Sequence, residues 1–305
     1  MIREQLKYYY HRFYQKLHAE TVKGNILTAQ LLAAGNSQKA HITSLDEVAF
    51  RVFSQRGEDG IIQYICSKIP LPDKTFIEFG VENYTESNTR LLLFENWRGL
   101  VMDSSRLNIR FIKKDFIYWK YDLTAMHSFI TAENINGIIA GYTSNNDPGL
   151  LSIDIDGNDY WVWEAISCIQ PRVVICEYNA VFGSDHAVSI PYNPAFIKNK
   201  AHYSCLYFGA SLPALCLLAE KKGYDFIGTS AAGVNAFFIR KDLSAPFVHY
   251  TAKTGFHASA NRDSKDEKGN NSFLPFAQRL EMIKHLPVTE VSSGSNYLIK
   301  DLYKI

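Results

Sequence analysis

Four short runs of mostly branched, apolar residues each close on a carboxylate, and this repetition constrains the fold more than any other feature. They are Thr75–Gly80 with Glu78, Trp97–Asp103 with Asp103, Gly149–Asp156 with Asp154 and Asp156, and Arg172–Glu177 with Glu177. Runs this short, apolar and bounded by turn residues fit strands covered on both faces, as in a parallel sheet. Helix-like stretches separate them: Asn88–Phe94 after the first, and Asn134–Ala140 behind a weaker strand at Leu123–Thr131. A third follows Gly157, where Asn158 or Asp159 can cap a helix. The rhythm is repeated βα, so the chain reads as an α/β fold.

Side chains alternate with period two along Gly149–Asp156, which puts Asp154 and Asp156 on one face with Asp156 nearest the carboxyl end. Ligands of open α/β sheets bind outside the carboxyl ends of the strands, so Asp156 is the first candidate for chemistry. Asp103 ends the second strand, roughly the twenty-odd residues downstream at which a nucleotide-type site places a ribose-binding carboxylate. The strand-terminal acids Glu78, Asp103, Asp156 and Glu177 together mark a shared ligand site. Gly80 is followed by Val81-Glu82-Asn83 in place of a Gly-x-Gly-x-x-Gly cradle, which disfavours a dinucleotide and suits a nucleoside without phosphates.

Beyond these, Ser211–Gly223 reads as a helix with serine at the cap, proline in the first turn and glycine after the end. Tyr224–Gly228 and Val234–Arg240 read as a hairpin, so the sheet ends with an antiparallel strand. Ser259–Ser272 is polar and charged, the composition of a mobile surface loop, and Ala277–His285 is a short helix. The chain opens with an amphipathic helix over Met1–Gly35, in which Arg3, Lys7, Arg12 and Lys16 alternate with Ile2, Leu6, Tyr9 or Tyr10, Phe13 and Leu17. Such an arm either makes a peripheral contact with a membrane or partner or, the reading kept here, packs on its own domain or on a dimer mate, the latter giving a homo-oligomer. Residues 1–50 are assigned to this arm and 51–305 to the main domain.

A net charge of +1 gives no global pull toward nucleic acid, and no stretch is long enough to be a transmembrane segment. The charged, aromatic N-terminus is unlike a signal peptide. Five cysteines, odd in number and without a Cys-x-x-Cys pair, read as buried thiols in a reducing compartment, so the expected location is cytoplasmic.

Taken in order, Glu78-Phe79-Gly80, Asp103, Ile153 to Tyr160 and the Val234–Arg240 strand resemble class I S-adenosylmethionine-dependent methyltransferases. The similarity is greatest to the FkbM-like enzymes of bacterial surface-polysaccharide clusters. It covers about Phe53 to Leu243 and includes Ser54 to Gly60, Asn88-Thr89, Glu177-Tyr178-Asn179 and Gly209-Ala210-Ser211-Leu212. The resemblance implies a Rossmann-like, seven-stranded, mostly parallel sheet with a terminal antiparallel strand. It places Glu78 and Gly80 at the methionine side of S-adenosylmethionine, Asp103 on the ribose, and Thr131, Glu133 and Asn134 near the adenine. Glu82, Ser104 and Asp154 complete the implied cofactor set, although the loop departs from the family's glycine-rich form at Glu82 and Asn83.

Asp156-Gly157-Asn158 also resembles the Asp-Gly-Asp of macrocin-type O-methyltransferases, which implies a magnesium ion on Asp156 and, by position, on Glu177. A hydroxyl acceptor needs a base whether or not a metal assists, and Asp156, His186 and His202 are the candidates. Tyr178, Asn179, Tyr207 and Ser211 are the candidates for binding a glycan or small-molecule acceptor. The expected activity is O-methylation of a saccharide or sugar-linked group in surface-glycan biosynthesis. Two rivals are a metal-dependent glycosyltransferase using a nucleotide sugar and a non-catalytic interaction protein on the same scaffold. An aspartyl phosphatase is disfavoured because its Asp-x-Asp motif belongs on the first strand.

Overall fold

A computed structural model describes residues 2–261 and 264–305, with side chains described from Glu20 onward except at 262 and 263. Seven strands form the main sheet: β1 (Thr75–Phe79), β2 (Arg98–Asp103), β3 (Leu123–His127), β4 (Leu150–Ile153), β5 (Val173–Glu177), β7 (Tyr224–Thr229) and β8 (Asn235–Arg240). A second sheet holds β6 (Val188–Ser189), β9 (Pro287–Glu290) and β10 (Ser295–Leu298). The main sheet runs β3-β2-β1-β4-β5-β8-β7. All neighbours pair in parallel except β8, which is antiparallel to β5 and β7. This is the seven-stranded, mostly parallel α/β sheet expected, with its last strand in chain order reversed. Chain direction across the sheet switches between β1 and β4, which opens a crevice at their carboxyl ends.

Both faces of the sheet are covered, which is why its strands are mostly apolar. Ile77, Phe79, Leu151, Ile153 and Phe238 pack on one side under helices Ile135–Tyr142, Asp159–Ala165 and Leu212–Lys222. Phe76, Val101, Leu150, Ile175 and Phe237 pack on the other under helices Glu58–Lys68, Arg106–Ile112 and Phe116–Lys120. Leu45 and Val48, from the 3-10 turn Leu45–Val48, join that second cluster. The small sheet and helices Phe276–Met282 and Ile299–Tyr303 enclose a third cluster around Phe182, Ile190, Tyr207 and Ile283.

Several sequence boundaries move. The expected strand Gly149–Asp156 stops at Ile153, and Leu123–Thr131 stops at His127. In both cases the residues beyond leave the ladder to form the crevice wall. The helix Asn88–Phe94 shrinks to Arg90–Leu93, because Asn88 and Thr89 bond to Glu78. The N-terminal helix runs over Ile2–Ser37, while the expected stripe of Ile2, Leu6, Tyr9 or Tyr10, Phe13 and Leu17 has its side chains outside the described residues. Within Ser259–Ser272, Ser264 is buried and bonded to Ser272, and Lys265 bridges Asn271. The five cysteines are free. No helix among the described residues is long and apolar enough to cross a membrane.

The largest buried side chain of the first cluster, Trp163, packs tilted against Phe238 at 5.0 Å and meets Tyr224 edge-on at 6.1 Å. Trp163→Ala is expected to cost about 3–5 kcal/mol of stability in urea denaturation. A loss under about 1 kcal/mol would mean that this helix is not pinned through its indole.

Candidate active site

The site grows from the way the chain leaves β1. Glu78 is buried and accepts hydrogen bonds from Ser87 Oγ (2.5 Å), Asn88 N (3.0 Å), Thr89 N (3.2 Å), Thr89 Oγ1 and Ser152 Oγ (3.3 Å). Burial raises its pKa against the pull of these donors. Its carboxyl therefore folds residues 87–89 over the sheet edge. Gly80 then takes a φ of +71°, and a Cβ there would lie 1.5 Å from the Asp154 carbonyl oxygen. Only glycine lets the chain pass over the end of β4 at that distance.

The crossing divides a crevice into two lobes that share Gly80, Glu82, Asp154 and Asp156. The smaller is lined by Asp103, Ser104, Ser128, Phe129, Ile130 and Phe196. Asp103 accepts from Glu82 N (2.9 Å), Ser105 N (2.7 Å) and Asn108 Nδ2 (3.1 Å). A carboxylate offers about four acceptor positions, so one remains for a ligand hydroxyl. The larger lobe, about 290 Å³, is bounded by Glu58, Glu177, Lys198, Phe208, Asn235 and Arg279, among others.

Between the lobes sit the acids of β4 and β5. Asp154, Asp159 and Glu177 each offer an oxygen within 4.8 Å of the others. Asp159 is consumed by the turn, accepting from Ile155 N (2.8 Å) and Gly157 N (2.9 Å). Glu177 differs: its Oε2 is buried without a partner among the described residues. Burial, then the charges of Asp156 and Asp159, push Asp154 up to about 8. Burial, then Asp154, likewise holds Glu177 well above the usual range. The two carboxyls offer oxygens within 4.8 Å of each other, so near neutrality the pair retains a proton.

Asp156 lies off the strand face on which the sequence put it. It is left-handed (φ +55°), its side chain is 60% exposed, and Oδ1 lies 2.5 Å from Lys198 Nζ. Lys198 sits 3.7 Å from the Phe208 ring centroid. Burial lowers its pKa, but Glu177, Asp156 and Asp154 together raise it further, so it stays charged.

The other candidates are distributed unevenly. Glu78, Gly80, Glu82, Asp103, Ser104, Asp154, Asp156, Glu177, Tyr178 and Asn179 line the crevice. Thr131, Glu133 and Asn134 stand behind it: Asn134 bonds Thr131 N (2.9 Å) and Phe129 O (2.8 Å), and Glu133 takes the Tyr192 hydroxyl (2.7 Å). The wall there is Ser128–Ile130, which this brace holds in place. Tyr178 donates to His257 O (2.6 Å), and Asn179 ties Leu206 O and Phe208 O, each at 2.9 Å. Tyr207 donates to Pro287 O (2.5 Å) in the third cluster. Ser211 caps its helix and bonds His186 O (2.7 Å). His186 packs on Tyr303, and His202 on Ser204 and His285, away from the crevice lining. Asn158, at the helix N-cap, makes no cap bond and instead donates to Asn193 O (2.8 Å).

Sequence reasoning missed Lys198, Glu58, Asn235 and Arg279. Lys198 and Arg279 arrive from distant segments without a local motif. Glu58 and Asn235 stood inside recognised elements: Asn235 lies opposite Glu177 in the β5–β8 register and donates to Glu58 Oε1 at 3.1 Å. Its own Oδ1 is buried without a partner.

No protein-family model matches the chain, and no curated protein matches it. Among solved structures, it is similar to a SAM-dependent methyltransferase from Aquifex aeolicus at 8% identity, over 60% of this chain and 88% of that one, with a TM-score of 0.36. The N-terminal domain of EvdMO1 with SAH bound is 8% identical over 71% of this chain and 94% of its own, with a TM-score of 0.39. PKMT2 from Rickettsia typhi in complex with AdoHcy is 9% identical over 59% and 52%, also at 0.39. At this level of superposition the functional reading rests on the site itself.

Asp154 titrates at about 8 when folded against an ordinary 3.8, so between those values the folded state holds the extra proton and stability falls as pH rises. Asp154→Asn is expected to melt with the parent near pH 4 and at least about 2 °C above it at pH 8. A melting difference that stays flat across that window would remove the raised pKa.

Proposed function

We propose that the chain is an S-adenosylmethionine-dependent O-methyltransferase of the FkbM-like kind, acting on a saccharide or sugar-linked hydroxyl. The observation that carries the reading is the two-lobed crevice at the β1–β4 switch, with Asp103 in one lobe and the Asp154–Glu177 pair facing the other. The small lobe, with Asp103 for ribose hydroxyls and Phe129 and Ile130 for an apolar ring face, suits an adenosine without phosphates. When bound, the cofactor supplies a methyl group activated on a sulfonium. Gly80 and Asp154, common to both lobes, stand where that methyl would pass from one to the other.

On the acceptor side, the chain must hold a hydroxyl and take its proton. A carboxyl pair that shares a proton at neutral pH becomes a stronger base than a free carboxylate once ionised, and a base tuned toward working pH is the efficient one. Asp156 and Lys198 lie at the mouth and orient the acceptor. Asn235 Oδ1 and Glu177 Oε2, both buried acceptors without partners, suit the donors of a polyhydroxylated ligand. The same donor set fits a hard cation, because Asp154, Asp159 and Glu177 offer only oxygens. Magnesium held there would lower the pKa of a coordinated hydroxyl.

Titration calorimetry tests the reading. One S-adenosylmethionine site per chain is expected, and Asp103→Ala should weaken it at least about tenfold, the value of one hydrogen bond to a charged group. Folded protein that ignores this cofactor but binds a uridine diphosphate sugar would overturn the proposal in favour of glycosyl transfer.

Glu177→Gln separates chemistry from binding. Cofactor affinity should stay within about threefold, while methyl transfer to a saccharide panel, read as S-adenosylhomocysteine release, should fall about 10²-fold or more. Full activity in that variant would remove Glu177 from the proton path. Adding a chelator to the parent shows whether a cation shares the work.

A further inference from the structure

Beside the small lobe, helices Arg106–Ile112 and Phe116–Lys120 carry an outer face that the fold does not account for. Their inner residues Ile109, Ile112 and Ile117 are buried in the second core cluster. Their outer surface exposes three large apolar side chains, Leu107 (72%), Phe111 (50%) and Trp119 (76%). Trp97 and Trp163 are buried by contrast, and Trp161 is half-buried and donates to Ile190 O. Between and beside the exposed apolar residues stand Arg106, Arg110, Lys113, Lys114 and Lys120, all exposed. The one acid in this stretch, Asp115, is committed to Arg90 at 2.9 Å. Five cations in so short a segment, none ion-paired among the described residues, contrast with a net charge of +1 for the whole chain.

We propose that this face docks on an anionic membrane surface, with Leu107, Phe111 and Trp119 entering the headgroup layer and the five cations against lipid phosphates. Leucine and aromatic side chains ringed by lysine and arginine are the composition of an interfacial anchor. Lysine is depleted from the cores of protein–protein interfaces, and the three apolar groups here are separated by cations instead of forming one dry patch. Lipid headgroups can rearrange around such a surface, whereas a folded partner would have to match each charge. Arg106 follows directly on the Asp103–Ser105 rim of the small lobe, so docking brings the crevice to the membrane and favours acceptors held there.

Co-sedimentation with vesicles of phosphatidylcholine, alone or mixed with phosphatidylglycerol, tests the proposal. The protein should sediment only with the mixed vesicles, less at high salt, with a blue shift in tryptophan emission from Trp119. Phe111→Ser with Trp119→Ser, and separately Lys113→Glu with Lys114→Glu, should each lower the affinity at least about tenfold. Their circular dichroism and melting should match the parent, since all four side chains are exposed. Failure of the parent to sediment with phosphatidylglycerol overturns the proposal. Binding retained by both variants also overturns it and moves the contact to the Ile2–Ser37 helix. A parent dimer that the variants dissociate, without vesicle binding, makes the face a protein interface.

Discussion

Everything at the carboxyl edge of the sheet depends on one close crossing, where the backbone at Gly80 passes over the Asp154 carbonyl with no room for a Cβ. The crossing joins β1 to its loop at the topological switch, and it divides the crevice into the two lobes. Any side chain at residue 80 would have to push the loop off the end of β4, adding the strain of a left-handed φ to a backbone clash. Glu82, also left-handed at φ +49°, then turns the chain so that its N–H reaches Asp103. Glycine at one position thus fixes the distance between the second strand's acid and the fourth strand's acids.

Burying a carboxylate is costly unless donors surround it, and the chain satisfies most of its buried acids with backbone N–H groups. Asp59 takes those of Val52, Phe53 and Ser54, each at 2.7 Å, Glu78 those of Asn88 and Thr89, and Asp159 those of Ile155 and Gly157. These acids act as staples that give irregular loops a single shape. Asp154 and Glu177 are different: they lean on each other and on a lysine. In a folded chain that staples its other acids so thoroughly, a pair left to share a proton marks the place kept for a ligand.

The sheet was legible in the sequence because covered parallel strands must be apolar on both faces, and the acids at their ends stand out against that background. The hairpin at Tyr224–Arg240 was legible because its short link cannot cross over. The reach of Asp156 was not: the period-two argument fails once the chain leaves the ladder at Ile153, and the turn hands the inward position to Asp154. Thr131 to Asn134 were displaced for a related reason, since the strand stops at His127 and the crevice wall comes from the residues just after it. His186 and His202 drew notice by residue type alone, and their contacts are with Tyr303 and with Ser204 and His285. Lys198 could not be found at all, because the segment that carries it meets β4 and β5 only through the tertiary fold.

Lys198 also decides what the carboxyl pair can do. With Asp156 and the Asp154–Glu177 pair around it, one ammonium balances part of their negative charge. Burial and the charges of Asp156 and Asp159 outweigh that ammonium at Asp154, which holds its proton to about 8. A divalent cation bound by the same oxygens would have to displace that proton, so binding would release protons and strengthen as pH rises. Proton and cation therefore compete for one place. A pair that serves as base cannot coordinate at the same moment, and the position of this competition at working pH selects between direct proton removal and metal-assisted removal from the same acceptor hydroxyl.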